Sequence, residues 1–485
     1  MARIVILGAG IAGHTAALHA KRVLGRNNEV IVISPNSQWN WIPSNIWVGV
    51  GKMTQNQVTF PLAPIYRRKG IIFHQALAKN LYPEGDATES NPFVEIQYTD
   101  PSMNGLTARI KYDFLVNATG PKLNFAATTG LGPDGFTVSV CTAGHANEAS
   151  RALKECISRM KEGNRQSLAI GVGHGTCTCE GAAFEYTFNV EHEIRVAGVR
   201  ELADITYITN ENELGDFGVG GLVFTQNGFQ TTSELWTQSL FRERGIHAVV
   251  GAHVEKIEKG IIHYELVDGS RNTLSFDFAM LLPPFRGVDL KAFDSHGIDI
   301  SEKIFAPSGF MKVDADYTAK PYEQWRTEDW PKTYQNPTFP NMYAVGIAFA
   351  PPHQISKPLK SANGTLIAPS PPRTGMPSGI MGKLAILSIR EVLAHGPDAI
   401  LPTASMSDMG AACVASAGSG LRKGSAASMT MYPIVPDYVK YPNTGRSLED
   451  TFGEIGLSGH WIKLLLHYMF IYKAKARLGW SFIPE

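Results

Sequence analysis

The residues best equipped for chemistry are five cysteines, Cys141, Cys156, Cys177, Cys179 and Cys413, together with one glycine-rich turn near the start of the chain. A thiolate is a nucleophile, a metal ligand and a redox centre. Five cysteines are too few for a disulfide scaffold in 485 residues, so a disulfide here reads as catalytic rather than structural. Cys177-x-Cys179 could form half of a metal site, yet no second pair follows at zinc spacing, and no metal is expected. Cys141 opens a Cys-Thr-x-x-His pattern ending at His145, which taken alone is a polar helix-end residue. Gly8-x-Gly10-x-x-Gly13 has the pattern of a dinucleotide-binding turn. Gly8 permits the tight bend, Gly10 lets phosphates approach the backbone, and Gly13 lets helix and strand pack closely.

The elements that must position these residues surround them in order. Residues 4–7 read as an apolar strand entering the turn, and 15–23 as a helix whose N-terminus would face the pyrophosphate. A second strand over 30–33 ends at Ser34, where an acidic ribose partner is customary; a serine hydroxyl can serve there more weakly. Trp39, Trp41 and Trp47 lie among prolines and glycines in a rigid loop, suited equally to plugging the core or walling a flat ring. An apolar strand over 112–117 runs into Ala118-Thr119-Gly120-Pro121, and a helix is expected over 147–160. The strand 167–170 leads into Gly171-x-Gly173-x-Gly175-Thr176, a second such turn in which Thr176 replaces the close-packing glycine. A nicotinamide dinucleotide is therefore disfavoured there. A strand over 205–209, a glycine-rich loop and a helix over 231–245 complete a second α/β unit. Long Pro-, Trp- and Ser-rich excursions between 314 and 379 precede a helix over 379–395, and a strand is expected over 429–435.

Composition bounds the function. Forty-four basic residues balance forty-four acidic ones, which gives no electrostatic argument for nucleic acid. With 44% hydrophobic residues the chain can bury two or three domain cores. A first strand beginning at residue 4 leaves no room for a signal peptide, and cytoplasmic residence is expected. Residues 460–472 are almost entirely apolar or aromatic and are followed by Lys473, Lys475 and Arg477. That run is shorter than the about 20 residues a membrane span requires. It suits a helix at the membrane interface or, equally, a buried core or dimer helix.

Taken together these residues resemble sulfide:quinone oxidoreductases, a branch of the two-dinucleotide-domain flavoprotein disulfide reductases. The marks are Pro43-Ser44-Asn45-x-Trp47-Val48, Ala118-Thr119-Gly120-Pro121, Cys141-Thr142-x-x-His145, Cys179-x-Gly181-x-Ala183-x-Glu185, Cys413-Val414-Ala415 and Gly459-His460-Trp461-Ile462-Lys463. The resemblance implies an α/β fold with two Rossmann-like domains and a membrane-associating C-terminal region. The expected divisions are 1–140 for FAD, 141–305 for the second domain, 306–400 returning to the first, and 401–485. It implies FAD held at Gly8, Gly10, Gly13, Ser34, Pro43, Ser44, Asn45, Thr119, Gly120, Gly346 and Gly379. It further implies a redox pair, Cys179 and Cys413, which sulfide attacks to leave a persulfide and a thiolate that reduces the flavin. Such chemistry asks for cysteines of depressed pKa. Cys141 resembles a cysteine that attaches to flavin or handles sulfur, His145 a proton-transfer residue, and Glu185 a further catalytic residue. Phe452 and Tyr468 match aromatic positions around the quinone. A homo-oligomer peripherally bound to the cytoplasmic face of a membrane is expected.

The chain departs from the family pattern in places. Asp216 stands where many members have histidine, and Ser378 lies near where they have lysine, which alters the expected proton path and flavin tuning. A type II NADH:quinone oxidoreductase shares the scaffold but needs an intact second glycine turn and no cysteine pair. A flavocytochrome sulfide dehydrogenase subunit is normally exported. A flavin-bound sulfur carrier or redox sensor without turnover is a further alternative.

Overall fold

The apolar runs Arg3–Leu7, Glu29–Ser34 and Phe114–Asn117 are buried along almost their whole length, which requires cover on both faces. They form the parallel centre of an eight-stranded sheet. In the computed structural model, which describes every residue except Arg26, Cys179, Asn227 and Thr374 and the side chain of Ser419, this sheet runs in the order Met342–Ala344, Phe114–Asn117, Arg3–Leu7, Glu29–Ser34 and Ile72–Tyr82. Phe93–Tyr98 and Thr107–Lys111 continue it antiparallel. The N-terminal helix Ile11–Val23 starts directly after Gly10, earlier than the expected residue 15, and packs on the helix Gly375–His395. The contact is close because Gly382 is a glycine: a Cβ there would stand 2.3 Å from the carbonyl oxygen of Ala12.

A second, four-stranded sheet is parallel throughout, in the order Ile246–Val249, Ala203–Ile208, Gln166–Val172 and Phe278–Leu282. The helices Ala143–Lys161 and Glu180–Val196 pack against it. The first of these begins at Ala143 rather than 147, because the Thr142 hydroxyl accepts the Nα–H of His145 at 3.1 Å and caps it. His145 therefore sits inside the first turn and not ahead of it.

The tryptophan loop is a core plug. Trp39 stacks on Phe60 at 4.9 Å and Trp41 on Phe470 at 5.0 Å, and all three tryptophans are buried. The loop is itself structured, as a strand Gln38–Asn40, a 3-10 turn Ile42–Ser44 and a short helix Asn45–Gly49.

The C-terminal region is an antiparallel sheet of Ala411–Ser419, Lys423–Met431 and Phe452–Gly456, covered by the helix Leu457–Ala474. The expected strand over 429–435 is thus placed earlier; it stops ahead of Pro433, which has no N–H for a ladder. Among the described residues no helix is long and apolar enough to cross a membrane.

Arg446 fastens this region to the second domain. Its buried guanidinium donates to the carbonyls of Pro433 (3.0 Å), Ile434 (2.9 Å), Val219 (2.7 Å) and Gly221 (2.9 Å). Burial lowers its pKa to about 10, with Tyr438 and Asp216 opposing. Arg446→Met, which strands four carbonyls, is expected to lower stability by at least about 3 kcal/mol, read as the shift of the urea unfolding midpoint.

Candidate functional site

The first glycine turn closes on itself at two points and is open at a third. Gly8 has φ +94°, and a Cβ there would stand 2.2 Å from Ala118 O; at Gly13 a Cβ would meet Gly8 O at 2.1 Å. Gly10 has nothing within 4 Å of that position and is followed by a helix N-terminus without side-chain cap. An open backbone surface at uncapped helix N–H groups is what a dinucleotide pyrophosphate requires. Gly120 (φ +70°) is equally open, and Gly346 (φ +66°) packs on Ala12 near the Ser378 hydroxyl. Gly8, Gly120 and Gly346 follow the C-terminal ends of three adjacent parallel strands, the edge where α/β sheets bind ligands. Ser34 is buried at the end of its strand, Thr119 donates to Asn117 Oδ1 at 2.8 Å, and Gly379 faces Glu485.

Ser44 and Asn45 face the protein interior. Ser44 Oγ and His467 Nδ1 lie 2.9 Å apart, and Asn45 exchanges side-chain bonds with Asn40 at 2.9 and 3.1 Å while donating to Val140 O at 3.3 Å. They tie the loop that begins at Pro43 to the C-terminal helix and to the segment that precedes Cys141.

On the sulfur side, Cys413 lies on the strand Ala411–Ser419, half-buried. A Cβ on Gly181 would stand 2.9 Å from its Sγ, so the thiol rests on the first turn of Glu180–Val196. Cys179, one residue ahead of that helix, lies outside the described residues. The expected depressed pKa is corrected here: burial pushes the Cys413 thiol up to about 12, the Glu185 carboxylate adding to it and Lys463 opposing. Burial likewise raises Cys141, half-exposed by surface area, to about 11. The Nδ1 of His145 is buried without a hydrogen-bond partner among the described residues, and its ring meets Phe125 edge-on at 5.9 Å. Cys177 is fully buried and donates to Leu282 O at 3.1 Å; Cys156 is buried in its helix.

Glu185 has a partner that the motif reading left unassigned. Lys463, from the C-terminal helix, donates to both its carboxylate oxygens and to Val414 O at 3.1 Å. Burial still leaves the Glu185 pKa raised. His460 Nδ1 meets the Ser416 hydroxyl at 2.5 Å, and Trp47 Nε1 donates to Ser416 O at 3.1 Å. A lysine inside an otherwise apolar helix was the signal for this inward contact. The supposed basic flank differs as well: Lys473 is buried and donates to Ile483 O and Pro484 O, both at 2.7 Å, and pairs with Glu485 at 2.8 Å. Phe452 and Tyr468 are exposed, at 45% and 62%.

The second glycine turn is closed over. Ala368 N donates to Gly175 O and Ser370 N to Cys177 O, each at 2.8 Å, and the Ser370 hydroxyl donates to Thr176 O at 3.0 Å. A Cβ on Gly175 would stand 2.8 Å from both His253 Nδ1 and Leu366 O. The late insertion therefore lies directly on this turn. Asp216, half-buried, accepts the Ser356 hydroxyl and, at 2.9 Å, the N–H of Gly218.

This pair of α/β sheets with their glycine turns is that of a known class: the chain belongs to the pyridine nucleotide-disulphide oxidoreductase family, whose model matches residues 2–283. Over 472 residues it is 25% identical to the sulfide-quinone reductase of Aquifex aeolicus (strain VF5), covering 97% of this chain and 91% of that protein. The solved structure of the sulfide:quinone oxidoreductase from Aquifex aeolicus matches with a TM-score of 0.75 at 24% identity, covering 98% of this chain and 92% of that one. NDH2 from Plasmodium falciparum in complex with NADH shares the fold at a TM-score of 0.59 and 14% identity, covering 98% and 96%.

Removing the Lys463 ammonium leaves Glu185 buried without its counter-charge. Lys463→Met is expected to cost about 3–5 kcal/mol near neutrality. Because the carboxyl pKa is raised in the folded state, protonation favours folding, so the loss deepens as pH rises through that pKa and shrinks below it. Urea titrations of Lys463→Met at several pH values check this, and Glu185→Gln added to it should flatten the pH dependence.

Proposed function

We propose that the protein is an FAD-dependent sulfide:quinone oxidoreductase, which takes two electrons from sulfide and delivers them to a membrane quinone. The observation that carries this reading is the seating of Cys413 Sγ on Gly181, two residues after Cys179, in a chain similar along its length to a sulfide-quinone reductase. FAD at the first glycine turn would supply the two-electron acceptor and donor between sulfur and quinone. Gly8 and Gly13 shape the turn, Gly10 and the helix N-terminus meet the pyrophosphate, and Ser34 lies where the ribose hydroxyls are read.

Cys413 and Cys179 form the redox pair in this reading. A buried thiol held neutral is a poor nucleophile but a stable member of a sulfur–sulfur bond, which suits a resting state in which the two sulfurs are joined. Sulfide attacks that bond, one sulfur keeps the persulfide, and the thiolate released is the electron source. Lys463 lies where it favours a thiolate on Cys413. Cys141 is the candidate for covalent flavin attachment, and the unpartnered His145 Nδ1 for proton transfer.

The C-terminal helix favours a peripheral membrane site. Trp461, Leu465 and Tyr468, on one face of Leu457–Ala474, are exposed at 48%, 63% and 62%, while His460, Lys463 and His467 on the other face are buried. An apolar outer face with aromatic rings suits a lipid surface and a quinone entrance, with Phe452 and Tyr468 as stacking rings. The cytoplasmic face of the membrane is the expected side. The NADH reading is weakened by the insertion bonded to the second turn.

Anaerobic sulfide is expected to bleach the flavin of the purified protein and decylubiquinone to restore its colour. NADH should leave the flavin oxidised. Cys179→Ala and Cys413→Ala should each slow the sulfide step by at least about a hundredfold. Bleaching by NADH and not by sulfide would overturn the proposal.

A further inference from the structure

Next to Cys179 in sequence stands a buried acid that this reaction scheme leaves without a task. Glu180 has no exposed surface, and neither of its carboxylate oxygens has a hydrogen-bond partner among the described residues. An ionised carboxylate in that position is costly, whereas a protonated one needs a single acceptor. Asn210 beside it uses its Nδ2 on Gly175 O and Cys177 O, both at 3.2 Å, and leaves its Oδ1 unpartnered; burial, Glu211 and Asp216 raise the Glu180 pKa, with Asn210 opposing. A proton on one Glu180 oxygen directed at Asn210 Oδ1 would pair two of these three unpartnered atoms.

Two more carboxyls lie close enough to raise the Glu180 pKa. Glu211 is fully buried and accepts from Phe217 N at 2.7 Å, the Thr209 hydroxyl at 2.8 Å and the Tyr207 hydroxyl at 3.2 Å. The Tyr207 hydroxyl also lies 3.3 Å from the backbone carbonyl of Glu180. Asp216, half-buried on the loop that follows, takes the Ser356 hydroxyl and marks the outer end of the row. The groups facing Glu180 are Glu211, Asp216, Tyr207, Cys177 and Asn210, and Arg446 opposes the raised pKa of Asp216. Carboxyls crowded out of water cannot all ionise, so such a row holds both a proton donor and a proton acceptor near neutrality. Burial and Asp216 place Glu211 at about 7, in keeping with that arrangement.

We propose that Glu180, Glu211 and Asp216 form the outward proton path for sulfur oxidation at Cys179, with Glu180 as its inner, proton-holding residue. The inference rests on the sulfide:quinone reading above. When hydrosulfide attacks the joined sulfurs of Cys179 and Cys413, their bond breaks and a new sulfur–sulfur bond forms. A persulfide, a thiolate and one proton result; the electron pair leaves through flavin to quinone. The proton enters the row, which passes it from Glu180 by way of Glu211 to Asp216 and solvent. Glu180→Gln keeps the shape and the bond to Asn210 but cannot carry a proton.

The test is stopped-flow reduction of the holoenzyme flavin by sulfide across pH, beside reoxidation of dithionite-reduced enzyme by decylubiquinone. Glu180→Gln is expected to slow reduction about a hundredfold and to remove one limb of its pH profile, with reoxidation unchanged and Glu180→Asp partly restoring reduction. In the unmodified protein, sulfide should also perturb a protonated-carboxyl band in the infrared difference spectrum. A wild-type reduction rate and pH profile in Glu180→Gln, or no carboxyl band in the unmodified protein, would overturn the proton path alone. Failure of the unmodified protein to be reduced by sulfide would overturn the function it rests on.

Discussion

One buried ion pair joins the pieces that carry the proposed redox cysteines. Glu185 lies one helical turn beyond Gly181, and Lys463 reaches it from the far end of the chain while also holding Val414 O, next to Cys413. Three elements distant in sequence are thereby fixed to one another: the helix following Cys179, the strand carrying Cys413, and the C-terminal helix. A buried pair of this kind gives little net stability against an apolar replacement, but it tolerates no partial assembly, since either charge alone is strongly unfavourable. The strand Ala411–Ser419, rich in alanine, glycine and serine, has little propensity to locate itself. The ionic tie, with His460 on Ser416 and Trp47 on the same residue, sets where its cysteine lies.

That division between local and long-range determinants also explains what was legible in the sequence. The first dinucleotide turn was legible because strand, turn and helix are consecutive, and each glycine there answers to one nearby backbone atom: Ala118 O for Gly8, Gly8 O for Gly13. The two parallel sheets could be inferred for the same reason, since apolar runs and glycine turns alternate along the chain. The C-terminal sheet was largely missed, its strands showing little apolar alternation and one β-branched residue each, Val414, Thr430 and Ile455. Lys473 was misread as a surface base because its partner, Glu485, is met only once the tail folds back. The thiol pKa was misjudged because residue type and motif carry no information about burial; the strand bearing Cys413 is enclosed by elements from three parts of the chain.

The second glycine turn shows how a fold inherited from one chemistry can be closed to it without losing its architecture. The strand Gln166–Val172 and the helix after it keep the dinucleotide-binding geometry, and Gly171 still permits the contact with Ile208 O that a side chain would block. What has changed is the occupancy of the turn. Residues 368–370 satisfy the carbonyls of Gly175, Thr176 and Cys177, and Glu265 accepts the hydroxyls of Ser361 and Thr365 just ahead of them. The insertion that looked irregular in sequence is therefore held by buried polar contacts at both ends, as a covering element must be if it is to stay in place.

The C-terminal helix inverts the usual arrangement of a surface helix, and the inversion follows from the ion pair. To bring Lys463 to Glu185, and His460 and His467 to Ser416 and Ser44, the helix must turn its polar residues inward. Residues one and two positions away then point outward, and in this sequence they are Trp461, Leu465 and Tyr468. Water is a poor partner for that face, so the contacts that assemble the sulfur site also leave a surface demanding an apolar neighbour. An enzyme that must hand electrons to a lipid-soluble acceptor needs such a face close to its redox centre. Here the same eighteen-residue helix supplies both, Lys463 inward beside Cys413 and the aromatic side outward. In the proposed membrane-bound arrangement, only that helix and the strand beneath it would separate the sulfur chemistry from lipid.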